Sequence, residues 1–243
     1  MNKDTRKKFF NIFIASSLFL LILVLIYFAL VTFLPLIHEI TRSGGNNEAV
    51  IADYLNREND LQGMISLGVL QILQVISIFF PGAPIQIAGG LIYGTWKSFL
   101  ICLVSFTFSN TLVFYLSRSN IGLIRKFLPG NSKSMTKLSS WINSSDPKFM
   151  SMLAYMLPGI PNGFIPHVAS KTNISTAGFS LSVLEGSFFQ IFMMCAIGHQ
   201  LIKGEWILSV LLFIIMIAMI IILYTNKSRI IQMRQNWRNR HQK

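Results

Sequence analysis

Apolar stretches too long for ordinary core helices dominate this chain, and two of them are interrupted in the same way. "SIFFPGAPIQIAGG", residues 77–90, and "YMLPGIPNGFIPHVAS", residues 155–170, both carry proline, glycine, any residue, proline. Proline removes a backbone donor and blocks helix continuation, while glycine permits a turn. The freed N–H and C=O groups would each cost several kcal/mol in hydrocarbon, so such a backbone must line a protein-buried or watery cavity. Proline kinks in continuous helices, or tight turns between full spans, are the plainer alternative.

Composition places the chain in the membrane class: 52% of its 243 residues are hydrophobic and 12% charged, with mean hydropathy +0.55. The run 9–34 follows the basic stretch "KDTRKK" without a small-residue cleavage pattern, which predicts a retained anchor helix rather than a signal peptide. The formal charge of +12 falls in blocks beside apolar runs, the positive-inside pattern, and no nucleic-acid partner is expected.

Between the first run and Leu61, Glu39, Glu48, Asp53, Glu58 and Asp60 outnumber Arg42 and Arg57, an outside-like loop. The segment 118–148 carries Arg118, Arg125, Lys126, Lys133, Lys137 and Lys148 against Asp146 alone and reads as cytoplasmic. The tail after the span 206–224 is basic without an acid and belongs on the same side. Residues 61–117 and 149–200 must then each cross an odd number of times, yet each is too long for one crossing at about 20 residues per helix. A hairpin that returns to its own side, followed by one true crossing at 95–117 and 176–200, satisfies both counts. The two units enter from opposite faces, an inverted repeat, and Pro81, Gly82, Pro84 and Pro158, Gly159, Pro161 become the hairpin tips.

Few side chains in these units carry chemistry. Glu185 is the only acid inside a predicted spanning helix, and even low insertion estimates charge about 2.5 kcal/mol for it, so it is a candidate to couple a proton or hold a cation. Against that stands a neutral, hydrogen-bonded carboxyl. His167 could exchange protons or contact a phosphate, against the commoner structural role. Gln86 and Asn162 make the tips polar. Arg118, Lys97 and Lys171 flank the units and could draw in an anionic head group, although snorkelling to the interface is the simpler role for each. Ser98, Cys102, Ser105 and Ser109 form a small-residue packing stripe, with Asn110 beside it. Cys102 and Cys195 suggest inert packing, and no metal site, cofactor, nucleophile motif, phosphate loop or carboxylate pair is expected.

From about Phe80 to Leu201 the chain resembles the DedA superfamily, in its VTT-domain branch of SNARE-associated Golgi proteins. The resemblance rests on "PGAPIQIAGGLIYG" with Pro81, Gly89, Gly90 and Gly94, on "FYLSRSNIG" with Arg118 and Gly122, and on "LPGIPNGFIPHVASKTNIS" with Pro158 and Pro161. Gly186 and Gly198 follow at the family's spacing. It implies facing re-entrant hairpins and lipid handling: phospholipid scrambling in eukaryotic relatives, and undecaprenyl phosphate recycling or proton-linked membrane homeostasis in bacterial ones. The chain departs from the pattern with Ala83, Ile85 and Gln86 where relatives carry an acid, Tyr155 where an arginine is common, and Ser105, Ser109, Ser117 and Ser170 at glycine positions.

The resulting expectation is an all-α polytopic protein of the plasma membrane with both termini cytoplasmic. A tail and anchor (1–35), an acidic outer loop (36–60), a VTT/DedA-like membrane domain (61–204), a final helix (205–225) and a basic tail (226–243) follow in order. The expected role, non-enzymatic, is translocation of a lipid or an anionic lipid carrier, with anionic membrane lipid and a second copy of the chain as candidate partners. The alternatives are an ion-coupled transporter of a small polar solute and a non-transporting scaffold.

Overall fold

A computed structural model describes residues 60–77, 81–118, 139–143, 146–157 and 162–241. The expected anchor helix, the acidic loop to residue 59, residues 119–138 of the basic segment and the tip residues Pro158, Gly159 and Pro161 lie outside these. The chain divides into two compact units at Gly63 and Met64, and the architecture below is that of the second.

All regular structure among the described residues is helical. The helices are α1 (Asp60–Ser77), α2 (Ala83–Arg118), α3 (Pro147–Met156), α4 (Phe164–Ala169), α5 (Thr176–Ile202) and α6 (Trp206–His241). α2, α5 and residues Trp206–Asn226 of α6 are long and apolar enough to cross a membrane.

Local chemistry sets the boundaries. Gly94, at φ 74° and ψ 175°, breaks α2 into an eleven-residue half-helix, 83–93, and a crossing helix that starts at Thr95, where the charge count placed it. Such a backbone is open to glycine and strained for other residues. Asp146 caps α3 by accepting from the Phe149 amide at 3.2 Å, with Pro147 at the first helical position. Ser175 caps α5 by accepting from the Gly178 amide at 3.0 Å. α5 ends in a Schellman turn: Gly204, at φ 73°, donates to Leu201 O at 3.2 Å and Glu205 donates to Gln200 O at 3.0 Å. α6 runs without a break through the basic tail to His241, where a tail after the span was expected.

The crossing part of α2 and α5 form the central pair, and they run antiparallel. Trp96 and Phe99 meet Phe192 at one end, and Phe114 stacks on Phe179 at the other, with centroids 4.3 Å apart. Where the half-helix crosses the end of α5 there is no room for a side chain. A Cβ on Gly90 would lie 2.0 Å from Cys195 O, and one on Gly198 would lie 2.0 Å from Ile87 O. Cys102 and Cys195 are both buried free thiols beside the same junction, where they serve as packing residues. α6 lies on α5 with little of its apolar span buried.

Candidate functional site

The two proline elements organise two similar three-part units. In the first, α1 and the half-helix of α2 are antiparallel arms: Gln74 lies against Gly82 and, seven residues back on one arm and seven forward on the other, Leu67 lies against Gly89. α1 then runs parallel to the crossing helix, with Gly68 against Ser105 and the Ser109 hydroxyl donating to Ile72 O at 2.9 Å. In the second unit α3 runs parallel to α5, with the Ser182 hydroxyl donating to Lys148 O at 2.9 Å and Gly186 against Met152 and Tyr155.

The units interlock. The first half-helix packs on the C-terminal end of α5, at Cys195 and Gly198. α4 packs on the C-terminal end of α2, where Ser117 and Arg118 meet residues 167–174. Each short helix therefore seals against the crossing helix of the other unit, as a pseudo-two-fold requires.

The first tip and the end of α3 reach one level of the crossing helix. The register that pairs Ile72 with Ser109 carries Gln74 and Gly82 to about Thr111, and from the other side Tyr155 donates to Asn110 Oδ1 at 2.8 Å. Around that level polar side chains are buried in apolar helices: Gln71 and Asn110 are fully buried, Gln74 and Gln86 nearly so. Asn110 is satisfied, since its amide also donates to Phe106 O at 2.9 Å. Gln71 Oε1, Gln86 Oε1, Thr107 Oγ1 and Ser151 Oγ have no hydrogen-bond partner. Each such oxygen costs about 1–3 kcal/mol. Sequence reasoning found Pro81, Gly82, Pro84, Gln86 and Asn110 but missed Gln71, Gln74 and Tyr155. The available signal was "LQILQVIS", two glutamines three apart in an apolar helix.

His167 and Arg118 come together at the outer end of the second unit. Ser117 Oγ lies 2.6 Å from both Val113 O and His167 Nδ1. With its single proton given to the carbonyl, Ser117 Oγ accepts from His167 Nδ1–H. The Arg118 guanidinium donates to Ile174 O at 2.7 Å, to Ser170 O at 3.4 Å and to Thr172 O, and lies 4.7 Å over the Phe114 ring. It clamps the loop that ends α4 and enters α5, and three of its donors are committed there.

The remaining candidates stand apart. Lys97 and Lys171 are exposed, and Asn162 is half-buried. Glu185 is exposed on α5 beside Leu181, Leu184 and Phe188, on the outward face, next to the buried Gly186. A cavity of about 210 Å³ opens between α3, α5 and α6, lined by Met156, Met194, Met216, Met219 and Gln190 among others. Among the described residues no three His, Cys, Asp or Glu side chains converge.

An uncharacterized membrane protein of Bacillus subtilis (strain 168), YhjE, is 28% identical over 140 residues, covering 54% of this chain and 64% of the relative, so less than two thirds of that protein's length is matched. No solved structure matches the chain. The VTT domain matches residues 80–200, which begin at the first proline tip and end with the crossing helix of the second unit. The chain is a membrane protein of the VTT-domain, DedA-type family.

Proposed function

We propose that the protein moves a lipid, or a lipid-borne anionic carrier, between the leaflets of the plasma membrane without catalysing a covalent step. The observation that carries this reading is the pair of interlocked units, in which the polar first tip and the end of α3 reach one level of the apolar crossing helix. A half-helix of eleven residues reaches about 16 Å and α3 about 15 Å, half of the roughly 30 Å hydrocarbon core. Elements that short support re-entrant arms that stop near the middle of the bilayer. Polar tips at that depth suit a head group that crosses while its tails stay in lipid, as broken helices serve substrates at the midplane of transporters.

The path runs along the first hairpin, Pro81, Gly82, Pro84 and Gln86, and the facing arm from Asn162, with His167 at that arm's outer end beside Ser117. Lys97 and Lys171 lie at the flanks, suited to attract anionic head groups. Arg118 acts as the clamp described above rather than as a ligand. The outward position of Glu185 favours a path that does not include it.

The test is reconstitution in liposomes with acyl-labelled phospholipid and, separately, a polyprenyl phosphate, read by chemical quenching of the outer leaflet. Faster exposure of the inner pool than in empty vesicles, slowed by His167→Ala, supports translocation. No acceleration for either lipid, with folding verified by circular dichroism, rejects it and turns attention to solute uptake under an ion gradient.

A further inference from the structure

The cavity of about 210 Å³ between α3, α5 and α6 is walled by sulfur on every side. Met156 of α3, Met194 of α5, and Met216 and Met219 of α6 supply four of its nine lining residues, out of eleven methionines in the whole chain. Met216 and Met219 stand three apart and share one face of α6. Met194 and Met216 are 9% and 4% exposed and belong to one buried cluster, so thioethers from two of the helices already pack together. Among the described residues that line the cavity, Gln190 alone has a polar side chain, and none is ionisable. Met216 lies halfway along the span Trp206–Asn226, at the depth where water is scarcest.

We propose that this cavity is a binding site for a soft monovalent metal ion, Cu(I), held by thioether sulfurs from three helices. Soft thioether ligands select Cu(I), whereas hard cations need several oxygen ligands and find one amide here. A carboxylate or thiolate site at this depth would have to ionise first, at a high cost. A thioether is a ligand as it stands, with no proton to lose. A single positive charge also keeps the burial cost of the ion below that of a divalent one. Three rotatable bonds let each methionine swing its sulfur from the wall toward a central ion. Filling space would be served as well by leucine, whose rotamers are better defined. Methionine on all three walls is what ion binding adds. The ligands come from three separate helices, so they leave no ligand spacing in the sequence. The site shares no residue with the lipid path proposed above and stands independently of it.

The experiment titrates the full chain in detergent with Ag(I), a redox-inert stand-in, and anaerobically with Cu(I), read by calorimetry and by metal X-ray absorption. Wild type is expected to bind one ion per chain with sulfur as its nearest neighbours, and excess Mg²⁺ or Ca²⁺ should not compete. Leucine conserves the volume of methionine, so Met194→Leu with Met216→Leu should keep the thermal transition in the absence of metal. The same pair should weaken binding at least about tenfold. Met156→Leu with Met219→Leu, at the half-buried positions, is the second pair should the first fail to fold, and the same loss is expected. Met233→Leu, on the exposed extension of α6, should change nothing. Absence of saturable binding of either ion overturns the site. So does an affinity that survives a folded pair of leucine variants, which would place the ion elsewhere, at Cys102 and Cys195 for example. Nitrogen or oxygen as the nearest neighbours, or displacement by Mg²⁺ or Ca²⁺, overturns the thioether site as well.

Discussion

At Gly90 and Gly198 the chain has no tolerance for a single methyl group, because the obstacle is the backbone oxygen of the neighbouring helix rather than a side chain that could turn aside. Gly90→Ala and Gly198→Ala should each lower stability by about 2–3 kcal/mol, read as an earlier thermal transition in detergent. Gly178→Ala, where the nearest atom is the Ser175 hydroxyl at 3.0 Å, serves as the mild control. Tyr155 makes a different kind of contact. Tyr155→Phe leaves Asn110 Oδ1 buried without its donor, at a cost of about 1–3 kcal/mol. In a double-mutant cycle with Asn110→Leu, the second substitution should recover part of that loss, and strict additivity would show that the two side chains do not interact.

At the level of elements, the break at Gly94, the start of α5 at Thr176 and the apolar span of α6 were legible in charge and proline position, because crossing number and helix-breaking chemistry are properties of the sequence. The partners of the polar side chains were not. Arg118 looks like a free cation in the sequence, and only the fold of residues 170–174 around it turns three carbonyls toward its guanidinium. Glu185 looks like a buried acid, but Gly186, one residue on, takes the packed face and turns Glu185 outward. Gln71 and Gln74 gain meaning only from the arm that folds back on them. The clamp gives a prediction at this scale. Arg118→Lys keeps the charge but loses the planar fork, so amides of residues 170–175 should exchange with deuterium at least about tenfold faster while those of α6 are unchanged. Equal protection in both proteins would deny the clamp.

For the whole molecule the outward face of α5 and the direction of α6 bear on how the protein sits in its membrane. An exposed carboxyl among Leu181, Leu184 and Phe188 is removed from the tips, so Glu185→Gln should leave translocation within about twofold of wild type, with an unchanged dependence on a pH gradient. A steep loss would return Glu185 to the coupling role its position in the sequence suggested. Orientation follows from parity. α2, α5 and α6 are each long and apolar enough for one span; with hairpins that return to their own side, as proposed, and the crossing at 9–34 expected from the sequence, both ends should lie on one side. The basic residues of the α6 extension make the cytoplasm the expected side. Fusions of a reporter active only in the cytoplasm to residue 1 and to residue 243 should both be active, while the same reporter inserted after Gly45, in the acidic loop, should be silent. If the terminal fusions differ, an even number of crossings is wrong, and either run 9–34 does not span or one arm passes fully through the bilayer. That second outcome would remove the re-entrant tips on which a midplane path depends.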